Sequence, residues 1–139
     1  MMAGQRAGRA ALVALALAVP GAGCAPAADG AAADGPPFAV AVEPAALRLV
    51  NRDTAPVYFT VFEHQMAMIV RWAPCREPSE CRSVPALSES RVPFDSIPGY
   101  EPGAAAAILY WYQLRPDSSG GVTWDSVRSI NLSLPDATK

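Results

Sequence analysis

Four residues carry most of the chemistry this chain could do: Cys24, His64, Cys75 and Cys81. Cys75 and Cys81 stand six positions apart in Pro-Cys-Arg-Glu-Pro-Ser-Glu-Cys. Zinc would need two more ligands, and His64 is the single histidine. A redox pair is usually Cys-x-x-Cys at a helix start, which this spacing is not. The pair is therefore expected to be a structural disulfide that pins a loop, stabilising by roughly 2–3 kcal/mol. His64 follows Glu63 where a hairpin should turn. As a general base it would need a nucleophile and an orienting acid, and Ser118, Ser119, Asp95 and Asp125 are the residues on offer. No spacing selects any of them, and no nucleophile-elbow, zinc-protease or phosphate-loop pattern is present. Glu101, Asp117 and Asp125 fall in or near loops, where acids are usually solvated; Arg76 and Arg82, set among Glu77 and Glu80, suggest local ion pairs. No catalytic residue, metal or cofactor is expected.

The third cysteine belongs to a different context. Arg6 and Arg9 precede a ten-residue apolar run, Ala10 to Val19, which Pro20 ends. The run is too short to span a bilayer, for which a helix needs about 20 residues, and has the form of an export-signal core. Gly21-Ala22-Gly23-Cys24 follows. These residues resemble the lipobox of bacterial lipoprotein precursors, with Ala22-Gly23-Cys24 matching well and Gly21 standing where a branched apolar residue is usual. The resemblance covers residues 1–24 only. It implies that Cys24 receives a diacylglyceryl group and becomes the mature N-terminus, with residues 1–23 removed. An ordinary secretory leader cut near Ala22 or Ala27 is the alternative. An odd thiol in an oxidising compartment needs a cap, which lipidation would supply.

Residues 25–37 hold only Ala, Pro, Gly and Asp. With nothing large to bury, they cannot offset their ordering entropy, and they are expected to form a flexible tether. Thirteen residues at ~3.4 Å each reach about 45 Å. The sequence thus divides into a signal peptide (1–23), a lipidated cysteine with its tether (24–37) and a globular domain (38–139). The whole chain of 139 residues has a net charge of −2, which excludes a strongly basic nucleic-acid binder. Loss of Arg6 and Arg9 with the leader leaves 13 acids against 9 bases. That balance does not favour anionic lipid, so the anchor would be the acyl chains.

The domain must be built from short strands. Fourteen prolines and ten glycines oppose a helical bundle. Apolar residues alternate at Phe38, Val40 and Val42, at Leu47 and Leu49, at Val57, Phe59 and Val61, and at Met66, Met68, Val70 and Trp72. Ser90–Phe94 reads as a strand that Pro93 pushes to an edge. Residues 105–115 read as the strongest strand, and Pro116 to Gly121 as a hairpin loop. Residues 122–134 close the domain with Ile130, Leu132 and Leu134 inward. About seven strands and no clear helix predict an all-β fold, a small immunoglobulin-like β-sandwich, with a small barrel as the alternative.

Two strands are apolar on both faces. Tyr58 and Phe62 oppose Phe59 and Val61; Leu109 and Trp111 oppose Ile108, Tyr110 and Tyr112. Either a neighbouring loop such as residues 74–85 covers one set, or Tyr58, Phe62 and Trp111 form a binding surface for an envelope protein or small ligand. The expected role is a lipid-anchored binding or structural module of the bacterial cell envelope, facing periplasm or exterior, with the outer membrane as the guess for its location. A small envelope enzyme or inhibitor domain using His64 and Asp125 is the alternative.

Overall fold

The computed structural model describes residues 35–135. Nine strands follow in chain order: β1 (Phe38–Val42), β2 (Ala46–Asn51), β3 (Val57–Glu63), β4 (Ser83–Val84), β5 (Ser88–Pro93), β6 (Ala106–Tyr112), β7 (Leu114–Pro116), β8 (Val122–Trp124) and β9 (Arg128–Ser133). One α-helix, α1 (His64–Ile69), leaves β3, and a 3-10 turn (Phe94–Ser96) leaves β5. All pairing is antiparallel, in three sheets ordered β1-β2-β5, β4-β3-β6-β9 and β7-β8. The all-β class stands. The strand number exceeds the expected seven because residues 105–115 and 122–134 each break into two strands, while β4 is gained and the strand expected over residues 66–72 is lost.

Period-2 patterning sets which side chains meet. Phe38, Leu47, Leu49 and Val92 from the first sheet share one buried cluster with Val57, Phe59, Val61, Ala107, Leu109, Trp111 and Leu132 from the second. Ile130 packs against that cluster and Leu134 lies within it, as their alternation predicts. Pro93 does sit on an edge strand, since β5 pairs with β2 alone. The one fully buried polar side chain here, Asn51, ties the start of the two sheets together. Its amide donates to the carbonyls of Ala55, Val84 and Pro85 at 2.9–3.1 Å, and its Oδ1 accepts from the Asp53 N–H. A buried amide is stable only when satisfied in this way.

One expected strand is absent. Residues 66–72 alternate as a strand would, yet Met66, Met68 and Ile69 are helical and Trp72 lies in an extended segment without ladder partners. The cause is local. The Glu63 carboxylate accepts the Gln65 and Met66 N–H groups at 2.7 and 3.1 Å and so caps a helical turn at the strand's end. Gly99 completes the seat. It has φ of +83°, and a Cβ there would lie 2.6 Å from the Met66 Cβ, so glycine serves both the turn and the close approach. The tether boundary also moves. The Arg52 N–H donates to the Pro37 carbonyl and its guanidinium to that of Pro36, which docks both prolines onto the domain. Cys24 and residues 25–34 lie outside the described residues, as does the leader.

Candidate functional site

The aromatic residues expected to form one surface are divided between two faces. In the β3–β6 register, Phe59 lies opposite Trp111, Tyr58 opposite Tyr112, Thr60 opposite Tyr110 and Phe62 opposite Ile108. Trp111 therefore points inward with Phe59. It is 7% exposed, 5.1 Å from the Phe38 ring, with the Arg128 guanidinium 4.5 Å from its centroid. Tyr58 and Phe62 point the other way; Tyr58 is half-buried and Phe62 buried. The proposed Tyr58, Phe62 and Trp111 surface does not assemble, because residues an odd number apart across a paired register take opposite faces.

What covers the outer face is the chain itself. From α1 to Arg82 the backbone crosses β3 and β6 as a strap. The Trp72 ring packs at a tilt on Tyr110, centroids 4.7 Å apart, Tyr58 stacks at 6.0 Å on Tyr112, and the Cys75 N–H donates to the Tyr112 hydroxyl at 2.8 Å. Cys75 and Cys81 are joined by the expected disulfide, with Cα atoms 5.8 Å apart. Ser83 and Val84 then pair with β3 as β4. Both ends of the strap are thus fixed, one by a helix cap and one by a ladder. This is the loop-covering reading of the doubled apolar pattern, extended N-terminally to include residues 64–73.

The two arginines of the cysteine segment make no ion pair with Glu77 or Glu80. Arg76 lies over the Trp124 ring at 4.7 Å and Arg82 over Phe59 at 5.1 Å. Their stems cover aromatic surface while their charge meets the ring face, worth about 0.5–1 kcal/mol at exposed sites. Desolvation holds the Arg82 guanidinium below its ordinary range and pushes the Tyr112 hydroxyl above its own. Under the strap lies a cavity of about 220 Å³ whose lining includes Trp72, Glu80, Arg82, Tyr112 and the disulfide. Its walls are aromatic, and Glu80 and Arg82 set one carboxylate and one guanidinium in the lining. No cluster of three metal-ligating side chains occurs among the described residues.

His64 does not sit at a hairpin turn. It is the exposed first residue of α1, next to Glu63, whose partner across the ladder is Ala107. Asp125 lies at the other end of β6, where its carboxylate accepts the Gln113 N–H at 2.9 Å and stands 3.9–4.0 Å from Arg115 and Arg128. Six residues of strand, about 20 Å, separate the two positions. Ser118 and Ser119 occupy the β7–β8 loop. There the Asp117 carboxylate accepts the Ser119 hydroxyl and the N–H groups of Ser119 and Gly121, contacts that hold its pKa below 3.8. Asp53 is likewise lowered, chiefly by the Gln113 side-chain amide at 2.9 Å and then by the Thr54 N–H. These acids cap loops. Ser118, Ser119 and Asp125 are not brought together with His64; Asp95 lies in the 3-10 turn and lines a hollow with Phe94 and Tyr100, and Glu101 lines another, of about 390 Å³, with Glu63 and Gln65, the sequence neighbours of His64.

Sequence reasoning missed the Glu63 cap, whose signal is a carboxylate three residues before Met66; Pro98-Gly99, followed by Pro102-Gly103, reads as a turn, but nothing in the sequence sets that turn against Met66. No family model matches this chain, and no match was found among curated proteins or solved structures.

Proposed function

We propose that this protein is a lipid-anchored module of the bacterial cell envelope that binds or supports a partner and itself carries out no covalent chemistry. The observation that carries the reading is cysteine pairing. The Cys75–Cys81 disulfide accounts for two of three cysteines, and the third stands in Ala-Gly-Cys after a charged and then apolar leader. Such a disulfide persists in an oxidising compartment, which an exported chain reaches and a cytosolic one does not. Two acyl chains on Cys24 would give stable anchoring where one gives marginal binding. The domain would then stand off the lipid on residues 25–35, facing periplasm or exterior, with the outer membrane as the favoured site. Candidate partners are an envelope protein or a small ligand at the strap cavity. The separation of His64 from Asp125 weighs against the enzyme or inhibitor alternative built on that pair.

Intact mass of the protein extracted from its native membrane tests this directly. The expected species begins at Cys24, carries a diacylglyceryl group and lacks two hydrogens for the disulfide. Cys24→Ser is expected to release the chain from the membrane or leave its leader uncut. Recovery of an unacylated chain still bearing Met1 in the cytosolic fraction overturns the proposal.

A further inference from the structure

The two principal sheets have four edges, and three are defended. β5 carries Glu89, Arg91 and Pro93; β4 is two residues long; β9 is polar along its length apart from Ile130 and Leu132. β1 is Phe-Ala-Val-Ala-Val, with neither charge nor proline, and among the described residues its one ladder partner is β2. Exposure rises along it: Phe38 is buried, Ala39 and Val40 are half-buried, Ala41 and Val42 are exposed. Charge, proline and short length are the usual protections of a sheet edge, and β1 has none of them.

The ladder shows which backbone groups are on offer. The Arg52 N–H donates to the Pro37 carbonyl and the Glu43 N–H to the Ala46 carbonyl, each at 2.8 Å. These bonds continue the β1–β2 register, in which Ala39 faces Val50 and Ala41 faces Arg48. Bonded pairs alternate in an antiparallel ladder, so the odd-numbered residues bond to β2. The N–H and C=O of Val40 and Val42 point away from it.

We infer that β1 is a self-association edge, pairing antiparallel with β1 of a second copy of this chain. The dyad passes between the two Ala41 residues. Val40 of each copy then exchanges both backbone hydrogen bonds with Val42 of the other, four bonds in all. Ala41 meets Ala41 as the close, non-bonded pair, at a Cα separation of ~4.5 Å, where a small side chain suits. Val40 packs beside the other copy's Val42 on the core-side face. Glu43 of one copy falls opposite Ala39 of the other, on the face that carries Arg48 and Arg52 on the adjacent strand. Small meets small and valine meets valine, and Glu43, which pairs with Arg91 of its own chain at 3.2 Å, comes to the face of two further bases, of which Arg48 pairs with Glu89. This self-matching under a two-fold axis selects a second copy over an unrelated strand. The product is one continuous sheet, β5-β2-β1 joined to its own image.

Cysteine cross-linking of the full chain in its native membrane tests the register. Ala41→Cys places two thiols on the dyad, with Cβ atoms ~4.5–5.5 Å apart, within disulfide reach. Ala39→Cys places them about 14 Å apart along the strands, out of reach. Under mild oxidation Ala41→Cys is expected to give a covalent homodimer at several times the yield of Ala39→Cys, each read above the unsubstituted chain, whose own yield reports any uncapped Cys24. Ala41→Lys, an exposed change that sets like charges on the dyad, is expected to leave the fold intact and make the detergent-extracted protein sediment as a monomer, the unsubstituted chain sedimenting as a dimer. Equal yields from the two cysteine variants overturn the inference, as does an Ala41→Lys protein that remains dimeric. A disulfide adduct of Ala41→Cys with some other envelope protein, without homodimer, overturns the choice of partner. The ratio of the two cysteine yields tests the register whether or not Cys24 is acylated, because the unsubstituted chain is the baseline for both.

Discussion

On its inner face the β4-β3-β6-β9 sheet meets another sheet; on its outer face it meets its own chain. The inner contact is aliphatic, with Val57, Val61, Ala107 and Leu109 at 0–1% exposure around Phe59 and Trp111. The outer contact is made by rings and by the Cys75 N–H bonded to the Tyr112 hydroxyl, and α1 buries none of its residues fully. Both faces began as apolar runs in the sequence. The difference lies in what the cover is made of. The inner cover is a hydrogen-bonded sheet, β1-β2-β5. The outer cover is the segment that follows β3 directly, held at its ends and by one disulfide.

This difference predicts unequal costs. Leu109→Ala leaves a cavity between two sheets that cannot collapse easily, and is expected to lower unfolding free energy by about 2–5 kcal/mol. Trp72→Ala on the outer face removes a half-buried ring from a strap that can settle, and should cost clearly less. Urea unfolding of both variants checks this. Equal losses would mean that the strap is as integral to the core as β2 and β5 are.

A smaller effect is expected from the strap's own closure. Replacing Cys75 and Cys81 together by alanine removes a constraint on a short ring, worth roughly 2 kcal/mol on the chain-entropy estimate. The loss should be local. Hydrogen exchange is expected to quicken over residues 70–82 and to stay unchanged in β2 and β5. Quickening across both sheets would show that the outer cover and the inner core open as one unit.

The contrast between the faces also explains what could be read from sequence. β1, β2, β3 and β6 were legible because each alternates against a core it meets in every second residue. The disulfide was legible because the spacing of Cys75 and Cys81 fits neither a redox pair nor, with a single histidine, a zinc site. That one face of β3 and β6 must be covered was legible too, from Tyr58 and Phe62 standing against Phe59 and Val61. What covers it was not. Met66, Met68, Val70 and Trp72 alternate as a strand does, and only the Glu63 cap and the room left by Gly99 turn the first part of that run into a helix. Both are tertiary facts: a carboxylate placed by the end of β3 and a turn placed by residues 97–100. The Tyr58, Phe62 and Trp111 surface failed for a related reason. Composition shows that aromatic residues are in excess, whereas the face each one takes depends on its register with the neighbouring strand.

The smallest predicted effect isolates one bond between strap and sheet. Tyr112→Phe keeps the ring stacked on Tyr58 and removes the hydroxyl that accepts the Cys75 N–H. A net loss of about 1 kcal/mol is expected at neutral pH. The same hydroxyl makes the outer cover sensitive to alkali. Burial disfavours its phenolate and raises its pKa above the ordinary 10.0, with the Cys75 N–H opposing the shift and Tyr58 adding to it. A group raised on folding contributes its full stability below the unfolded value and loses it as pH climbs through the folded one. The strap of the unsubstituted protein should therefore loosen at alkaline pH beyond 10, seen as faster exchange of strap amides relative to core amides at matched intrinsic rates. Tyr112→Phe should abolish that relative change. If the difference between strap and core persists in the phenylalanine variant, the outer cover is held by the rings and the disulfide, and the Cys75–Tyr112 hydrogen bond adds nothing to it.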